Sequence, residues 1–514
     1  MNKEKVKSNV CQIKDCGRPT HKESKYCIFH ASAEEKTEEE FKKALKEYVE
    51  EIKEGNKDYN FIDFLFIGNI SFNEDLNINV FKNALFFGAT FKGNVYFLDT
   101  SFEGDANFTR ATFKGKTYFV GVTFKGNTDF IKTTFNGDVN FTGSIFNGDA
   151  NFTSATFERF TYFTSATFEH NANFEEAIFK ISTEFKGTTF KGDACFEDTT
   201  FMGHSTYFTN AIFKRVANFF VVKFKGNANF KEASFNKDAY FEEATFEGDT
   251  DFRLKYFIKI LNFSKIKTSP GKKLFIRLNN RRGKISFKRA HLENTYLDIE
   301  LVEDIFIDFT DTLLKNTKIE KSRIENHILQ EKEKEFSKAK EIYLLLKNNF
   351  HSIGRYADEG WAFTKEKDMD RKSNCHFKTL HRWLWSCFLN MIYGYGERPC
   401  NVIKTAVAII IIFALSFSFI GLGNPEIIEL KGTAIHQNSG NIVDLVSKGL
   451  LKNNVIRNFP DSLYFSTITF TTLGYGDFRP LEGWGRILAG SEAFIGAFMM
   501  ALFVYTFARR TGGR

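Results

Sequence analysis

Three cysteines and a histidine near the start of the numbering carry the spacing of a metal site. Cys11, Cys16, Cys27 and His30 follow the pattern C-x4-C-x10-C-x2-H. Thiolates and imidazole are the ligands tetrahedral zinc prefers, and four protein ligands leave no open position, so such a zinc is structural and not catalytic. Gly17 and Pro19 give a turn after the second cysteine. A segment of about thirty residues cannot bury a self-sufficient core, so a metal would have to hold it together. The alternative is three reduced thiols beside an ordinary histidine, and His21 is a rival ligand. A second group lies near the other end, where Gly474 and Gly476 flank Tyr475 after two threonines. Glycine has no Cβ, so the backbone there can twist as other residues resist.

The elements around this second group are apolar and long. Thr405 to Leu422 is a run of 18 residues, about 27 Å as a helix. With Val402, Ile403 and a snorkelling Lys404 it predicts a membrane span over 402–422. Gly423, Asn424 and Pro425 end it, and a polar loop runs from Glu426 to Asn458. Pro460 and Asp461 are helix-start residues, predicting a short helix to about Thr471. After Phe478-Arg479-Pro480 and Trp484-Gly485-Arg486, the apolar stretch Ile487 to Ala508 predicts a second span over 486–508, closed by Arg509 and Arg510.

Thr472, Leu473, Gly474, Tyr475 and Gly476 resemble the T-V-G-Y-G selectivity filter of potassium channels, with Leu for Val. The order of span, short helix, loop and span over 401–510 resembles the two-transmembrane potassium channels. The resemblance implies a re-entrant pore loop whose filter is Thr472 to Asp477. Rings of backbone carbonyls there replace the hydration shell of a transported potassium ion. One chain supplies one loop, so it also implies a homotetramer in a lipid bilayer. A weakly selective cation channel is a nearer alternative. A membrane-anchored scaffold, in which the pore module mainly tetramerises the rest, is a further one. Asp477 sits where the family bonds a carboxylate behind the loop, against a plain surface charge. Tyr464-Phe465 replaces a Trp pair of many relatives, and Ile468 stands where some bacterial members have Glu. Glu492 lies inside the second span, where a carboxylate costs about 2.5 to 3.5 kcal/mol and must face protein or water. A partner in the pore-helix region and a cavity-facing role are its two readings. Gly496 is either a gating hinge or a site of close helix packing. Gly394-Tyr395-Gly396 repeats the G-Y-G but has no preceding Thr-Thr, and reads as the turn into the first span.

The chain holds 63 Phe and only 6 Pro. From Phe97 the phenylalanines fall at 102, 108, 113, 119, 124, 130 and onward, alternating five and six residues apart. One extra residue precedes Phe208, and the pattern runs to Phe263. Neither a helix nor a simple strand puts every fifth and sixth residue on one face. A β-solenoid with short sides does. The eleven-residue unit F-x-G-D-A-N-F-x-x-A-T-F resembles the pentapeptide-repeat family, which implies a right-handed parallel β-solenoid of square coils. Gly104, Gly115, Gly126, Gly137 and Gly148 mark the side with the extra residue, where a bulge or a positive φ is expected. Each inward Phe contributes about 2 to 3 kcal/mol before entropy is counted. With coils about 4.8 Å apart, residues 61–263 predict a rod on the order of 45 Å long.

The chain therefore divides into a zinc knot at 1–31, an amphipathic helix within 32–57, a solenoid over 58–325, a helical connector and interfacial helix over 326–400, and the pore module at 401–510. The helix has Phe41, Leu45, Tyr48 and Ile52 at helical spacing. Residues 264–286 lose the Phe period and turn basic (Lys272, Lys273, Arg277, Arg281, Arg282), which reads as a loop or insertion. Helices are expected over Ile328–Phe350 and from Tyr356 to about Arg371. Leu380–Ile392, with Trp383, Trp385 and the basic residues Lys378 and Arg382, is too short to span and suits the membrane interface.

The formal charge of +7 is spread among mixed signs, so no nucleic acid is expected as partner. The solenoid's outward charges are balanced as well, which argues against the DNA-shaped members of its family. A spacer, a docking surface or a sensor for an unknown cytosolic partner or ligand remain its readings. Seven scattered cysteines argue against a disulfide framework. No catalytic constellation is visible, so no enzyme is expected. The charged start, Met1 to Lys7, has no signal-peptide pattern. Basic residues before the first span and after the second predict that both termini are cytoplasmic.

Overall fold

The computed structural model describes residues 10–14, 16–257, 259–278, 282–374, 380–420, 422–423, 455–480 and 483–511. The readings made on Met1 to Lys7, Arg281, Lys378, Asn424 to Asn454 and the Arg382 and Arg510 side chains lie outside the described residues. The chain forms two compact units, Met1–Ile353 and Gly354–Arg514.

The first unit is a parallel β-solenoid. Each side of a coil is a two-residue strand such as Thr112–Phe113, Thr117–Tyr118, Thr123–Phe124 or Thr128–Asp129. The sides stack into parallel sheets of 12, 10, 11 and 9 strands. Thr112 pairs with Thr134 and Phe113 with Phe135, so each Phe lies above its equivalent one coil away. Phe108 and Phe130 stack at 4.8 Å and 3°, while Phe108 meets Phe119 of the same interior edge-on at 5.7 Å. Both geometries suit the ring quadrupole.

The corners depart from expectation. A left-handed residue recurs every eleven positions: Arg110 (φ 59°), Gly121 (69°), Lys132 (54°), Gly143 (68°), Ser154 (55°) and Ser165 (56°). Most are not glycine, and each L-residue there costs about 1 to 2 kcal/mol. Gly104, Gly115, Gly126, Gly137 and Gly148 are not left-handed. Their reason is space: a Cβ on Gly126 would lie 2.5 Å from the carbonyl carbon of Gly104, one coil away. After Gly104, Gly126 and Gly148 the next residue's side chain caps the following coil. Asp105 Oδ1 accepts from the Asn127 amide at 2.8 Å, and Asn127 Oδ1 from the Asp149 amide at 3.1 Å.

The described residues of 264–286 are not a loop. Lys273–Leu278 is a six-residue strand paired in parallel with Thr250–Arg253 and Tyr296–Leu301. Leu274, Ile276 and Leu278 point inward and are buried, while Lys273 and Arg277 are exposed. The Phe spacing fails here because the coil side lengthens and strand alternation of aliphatic residues takes over.

Helix α1 (Glu38–Gly55) covers one end of the solenoid. A capping box of Thr37 and Glu40 starts it and a left-handed Asn56 ends it. Its buried face of Phe41, Leu45, Tyr48, Val49 and Ile52 meets the first coil, Phe41 lying 5.6 Å from Phe66 and Tyr48 6.0 Å from Phe61. Helix α2 (Phe336–Ser352) closes the other end. There the Asn349 side chain accepts from the Thr317 amide at 2.9 Å and donates to the Thr317 carbonyl at 2.8 Å, satisfying backbone groups another coil would pair.

The second unit is helical: α3 (Tyr356–Ser373), α4 (Leu380–Tyr393), α5 (Pro399–Ile420), α6 (Val455–Phe470) and α7 (Gly483–Thr511). Leu384, Trp385, Phe388 and Met391 of α4 are exposed. Leu422–Gly423 pairs antiparallel with Arg479–Pro480.

Candidate functional site

The loop after α6 has a backbone few sequences adopt. Helix bonding continues just past Phe470, with the Thr471 amide on Thr467 O at 3.0 Å and the Leu473 amide on Ile468 O at 2.9 Å. Then φ alternates in sign: Thr472 (58°), Gly474 (55°) and Gly476 (79°) are left-handed, while Leu473 and Tyr475 are not. In an extended strand successive carbonyls point to opposite sides. Residues alternating in the sign of φ can turn successive carbonyls toward a common side, the arrangement that a cation-coordinating ring of backbone carbonyls needs. A Cβ on Gly474 or Gly476 would meet nothing within 4 Å of its own chain, so within the chain conformation and not crowding favours glycine. The second G-Y-G differs: Gly394, Tyr395 and Gly396 are all left-handed in succession (55°, 57° and 88°) and curl into a tight turn. Tyr395 is buried there, its hydroxyl donating to Ser386 O at 3.0 Å.

The helices around the loop hold it from behind. Helix α6 starts at Val455, so Pro460 lies inside it and not at its first turn. Phe465 packs edge-on against Phe417 of α5 at 4.9 Å, and Ile468 is buried in the same apolar cluster. Phe465 and Ile468 are thus held by apolar packing. Tyr464 meets Phe478 at 6.0 Å and lies beside the Asp477 carboxylate, one oxygen of which is buried without a hydrogen-bond partner among the described residues. Glu492 is fully buried and hydrogen-bonded to Ser466 of α6. A Cβ on Gly496 would lie 1.9 Å from Phe470 O, so this glycine permits close approach of α7 to α6. Ser466 was not singled out from sequence; its signal is a small hydroxyl four residues before Phe470, on one helical face. At the far end of α7, Arg509 pairs with Glu397 at 3.0 Å and covers the Phe363 ring at 5.0 Å, contacts sequence spacing does not reveal.

In the first unit Cys11, Cys16, Cys27 and His30 converge, their ligand atoms all within 4.8 Å of one another. His30 Nδ1 lies 3.4, 3.5 and 3.1 Å from the sulfurs of Cys11, Cys16 and Cys27, and Cys16 and Cys27 sulfurs are 3.7 Å apart. Zinc–ligand lengths place the corners of a tetrahedral site about 3.5 to 3.8 Å apart. His30 Nε2 donates to Ile62 O at 3.0 Å, which leaves Nδ1 a single lone pair facing three sulfurs. One metal ion at the centre gives all four atoms a partner, so the residues fit zinc, and the Ile62 bond is the outer contact that orients a ligating histidine. Burial pushes the Cys27 thiol up to about 12 and holds the His30 imidazole below its ordinary value. His21 stands outside the cluster, 3.9 Å from Glu40. Lys36, which burial pushes down to about 7, donates to Ile28 O and Leu65 O at 2.8 Å and ties the knot to the first coil.

Residues 428–512 match the family described as ion channel. Residues 97–145, 108–156, 141–182 and 208–253 match pentapeptide repeats. The chain joins an ion channel domain to pentapeptide repeats. Over 50 residues, 10% of its length, the chain is 40% identical to the potassium voltage-gated channel protein shk-1 of Caenorhabditis elegans, covering 9% of that relative. Over 50 residues it is 44% identical to potassium voltage-gated channel subfamily KQT member 4 of Homo sapiens, covering 7% of it. It thus spans under a tenth of the length of these curated relatives. No solved structure matches it significantly. Two helices, Pro399–Ile420 and Gly483–Arg509, are long and apolar enough to cross a membrane, as an ion channel domain requires.

Proposed function

We propose that the protein is a potassium-selective channel, with Thr472, Leu473, Gly474, Tyr475, Gly476 and Asp477 as its filter and four copies around one pore. The observation that carries this reading is the alternation of φ at 472, 474 and 476, on a loop between two apolar helices. Leu473 and Tyr475 are 62% and 69% exposed in the single chain, which supports neighbouring copies closing around the loop. The likeness to potassium channels over the 50 matched residues supports potassium as the transported ion. Basic residues flanking the two spans support cytoplasmic termini, so the solenoid hangs in the cytoplasm and tethers or regulates the pore. The Cys11, Cys16, Cys27 and His30 cluster holds one structural zinc.

Flux from proteoliposomes with imposed gradients tests the channel reading. Potassium flux well above sodium flux is expected. Equal fluxes reject selectivity, and no flux from intact tetramers favours a scaffold. Repeating the assay with the solenoid deleted tests its regulatory role.

A further inference from the structure

We infer that Glu492 acts as a neutral carboxylic acid that donates its proton to Ser466, and so fixes the pore helix and its loop against the inner helix. The inference rests on reading Thr472 to Asp477 as the filter. It comes from counting protons. Ser466 Oγ is 2.9 Å from Ile410 O of α5 and also hydrogen-bonded to Glu492 Oε1. A hydroxyl has one proton and a backbone carbonyl can only accept. The Ser466 proton therefore goes to Ile410 O, and the second bond needs a proton from the carboxyl. An ionised carboxylate accepts only, which would set two oxygens together with no hydrogen between them.

Burial agrees. Glu492 is 0% exposed, and its Oε2 has no hydrogen-bond partner among the described residues. A charged oxygen left so in an apolar span is costly, whereas the carbonyl oxygen of a neutral acid is far less so.

The position gives the bond its role. Ser466 and Phe470 are four residues apart on α6, as are Glu492 and Gly496 on α7. The Glu492 bond pins the upper contact, and the missing Cβ of Gly496 sets the backbone approach at Phe470. Phe470 directly precedes Thr471 and Thr472, so this seam decides where the loop begins. The pore helix carries Ile468, buried in apolar packing. The carboxyl brace therefore comes from the inner helix. Glu492 is a positioning residue; it does not touch the ion.

Infrared spectra and potassium flux of the full-length protein in liposomes, at about pH 6 where exposed carboxyls are already ionised, test this with E492Q, E492A and S466A. A protonated-carboxyl C=O band is expected in the wild type, absent from E492Q and shifted in S466A. The glutamine amide can donate in place of the acid, so E492Q should keep flux within about twofold, while E492A loses about tenfold or more. No Glu492-dependent band, or tetrameric E492Q as deficient as E492A, overturns the inference. If E492Q fails to assemble, the band of the wild type and its shift in S466A decide. A wild type that shows the band but no flux would instead reject the filter reading.

Discussion

Replacing Gly476 with alanine separates backbone conformation from crowding. Its φ is +79°, yet a Cβ there would have nothing within 4 Å in its own chain. Within its own chain alanine would therefore meet no clash, and the loss of the left-handed preference costs about 1 to 2 kcal/mol. In the proposed tetramer four copies contribute to one ring, and the penalty reaches about 4 to 8 kcal/mol, at the low end about a thousandfold loss of conducting rings. Gly490 of α7 supplies the comparison. It too has open space around its Cβ position, but its φ is not left-handed. There alanine should strengthen the helix by about 1 kcal/mol and leave flux unchanged. Both variants should run as tetramers in mild detergent. Potassium flux separates them: G476A should be silent and G490A normal. A conducting G476A, or a G490A equally silent with tetramers intact, would refute the claim that φ at this position makes the pore.

In the solenoid, G126A should lower stability by about 1 to 3 kcal/mol, because the next coil must shift. G121A, at a corner that accepts Arg110 and Lys132, should cost about 1 kcal/mol; thermal unfolding that ranks them oppositely would reject the close-approach argument. Metal analysis of the reduced protein should find one zinc per chain, and C27S should abolish it and speed proteolysis around α1; a metal-free wild type rejects the site. E397Q should weaken the hold on the end of α7 by about 1 kcal/mol, with a double charge swap, E397R with R509E, restoring it; a shift in open probability in E397Q that the swap leaves unrepaired would separate the two residues.

The Phe period was readable as a solenoid because a side chain held at one structural position in every side leaves a direct trace. The left-handed corners were not, since Arg110, Lys132 and Glu176 carry no turn signature and are tolerated only because the stacked rings over-determine them. The glycine column was visible, but its cause lies one coil away, in an interatomic distance that spacing does not encode. For the same reason the basic segment around Lys273 looked like a loop: Leu274, Ile276 and Leu278 alternate at strand period in a region otherwise read at five and six. The convergence of Cys11, Cys16, Cys27 and His30 follows from ligand spacing, whereas the His30 bond to Ile62 joins residues 32 apart and needed the fold. Glu492 stands out in the sequence as a carboxyl inside an apolar span, but its partner is an unremarkable serine on another helix.

A coil needs 22 residues to return to the same side, as Thr112 to Thr134 shows, while the sequence repeats every eleven. Two sequence repeats therefore make one revolution. Duplicating a pair would carry everything beyond it about 4.8 Å along the axis on the same side. Duplicating a single repeat would swing it half a revolution to the opposite side. A lone extra residue is gentler: Thr183 pairs with Thr206, 23 residues on, and the coils beyond resume their register. Whatever the outward faces of this rod address, lineages that alter its length should do so in even numbers of repeats, or find their surfaces facing the wrong way.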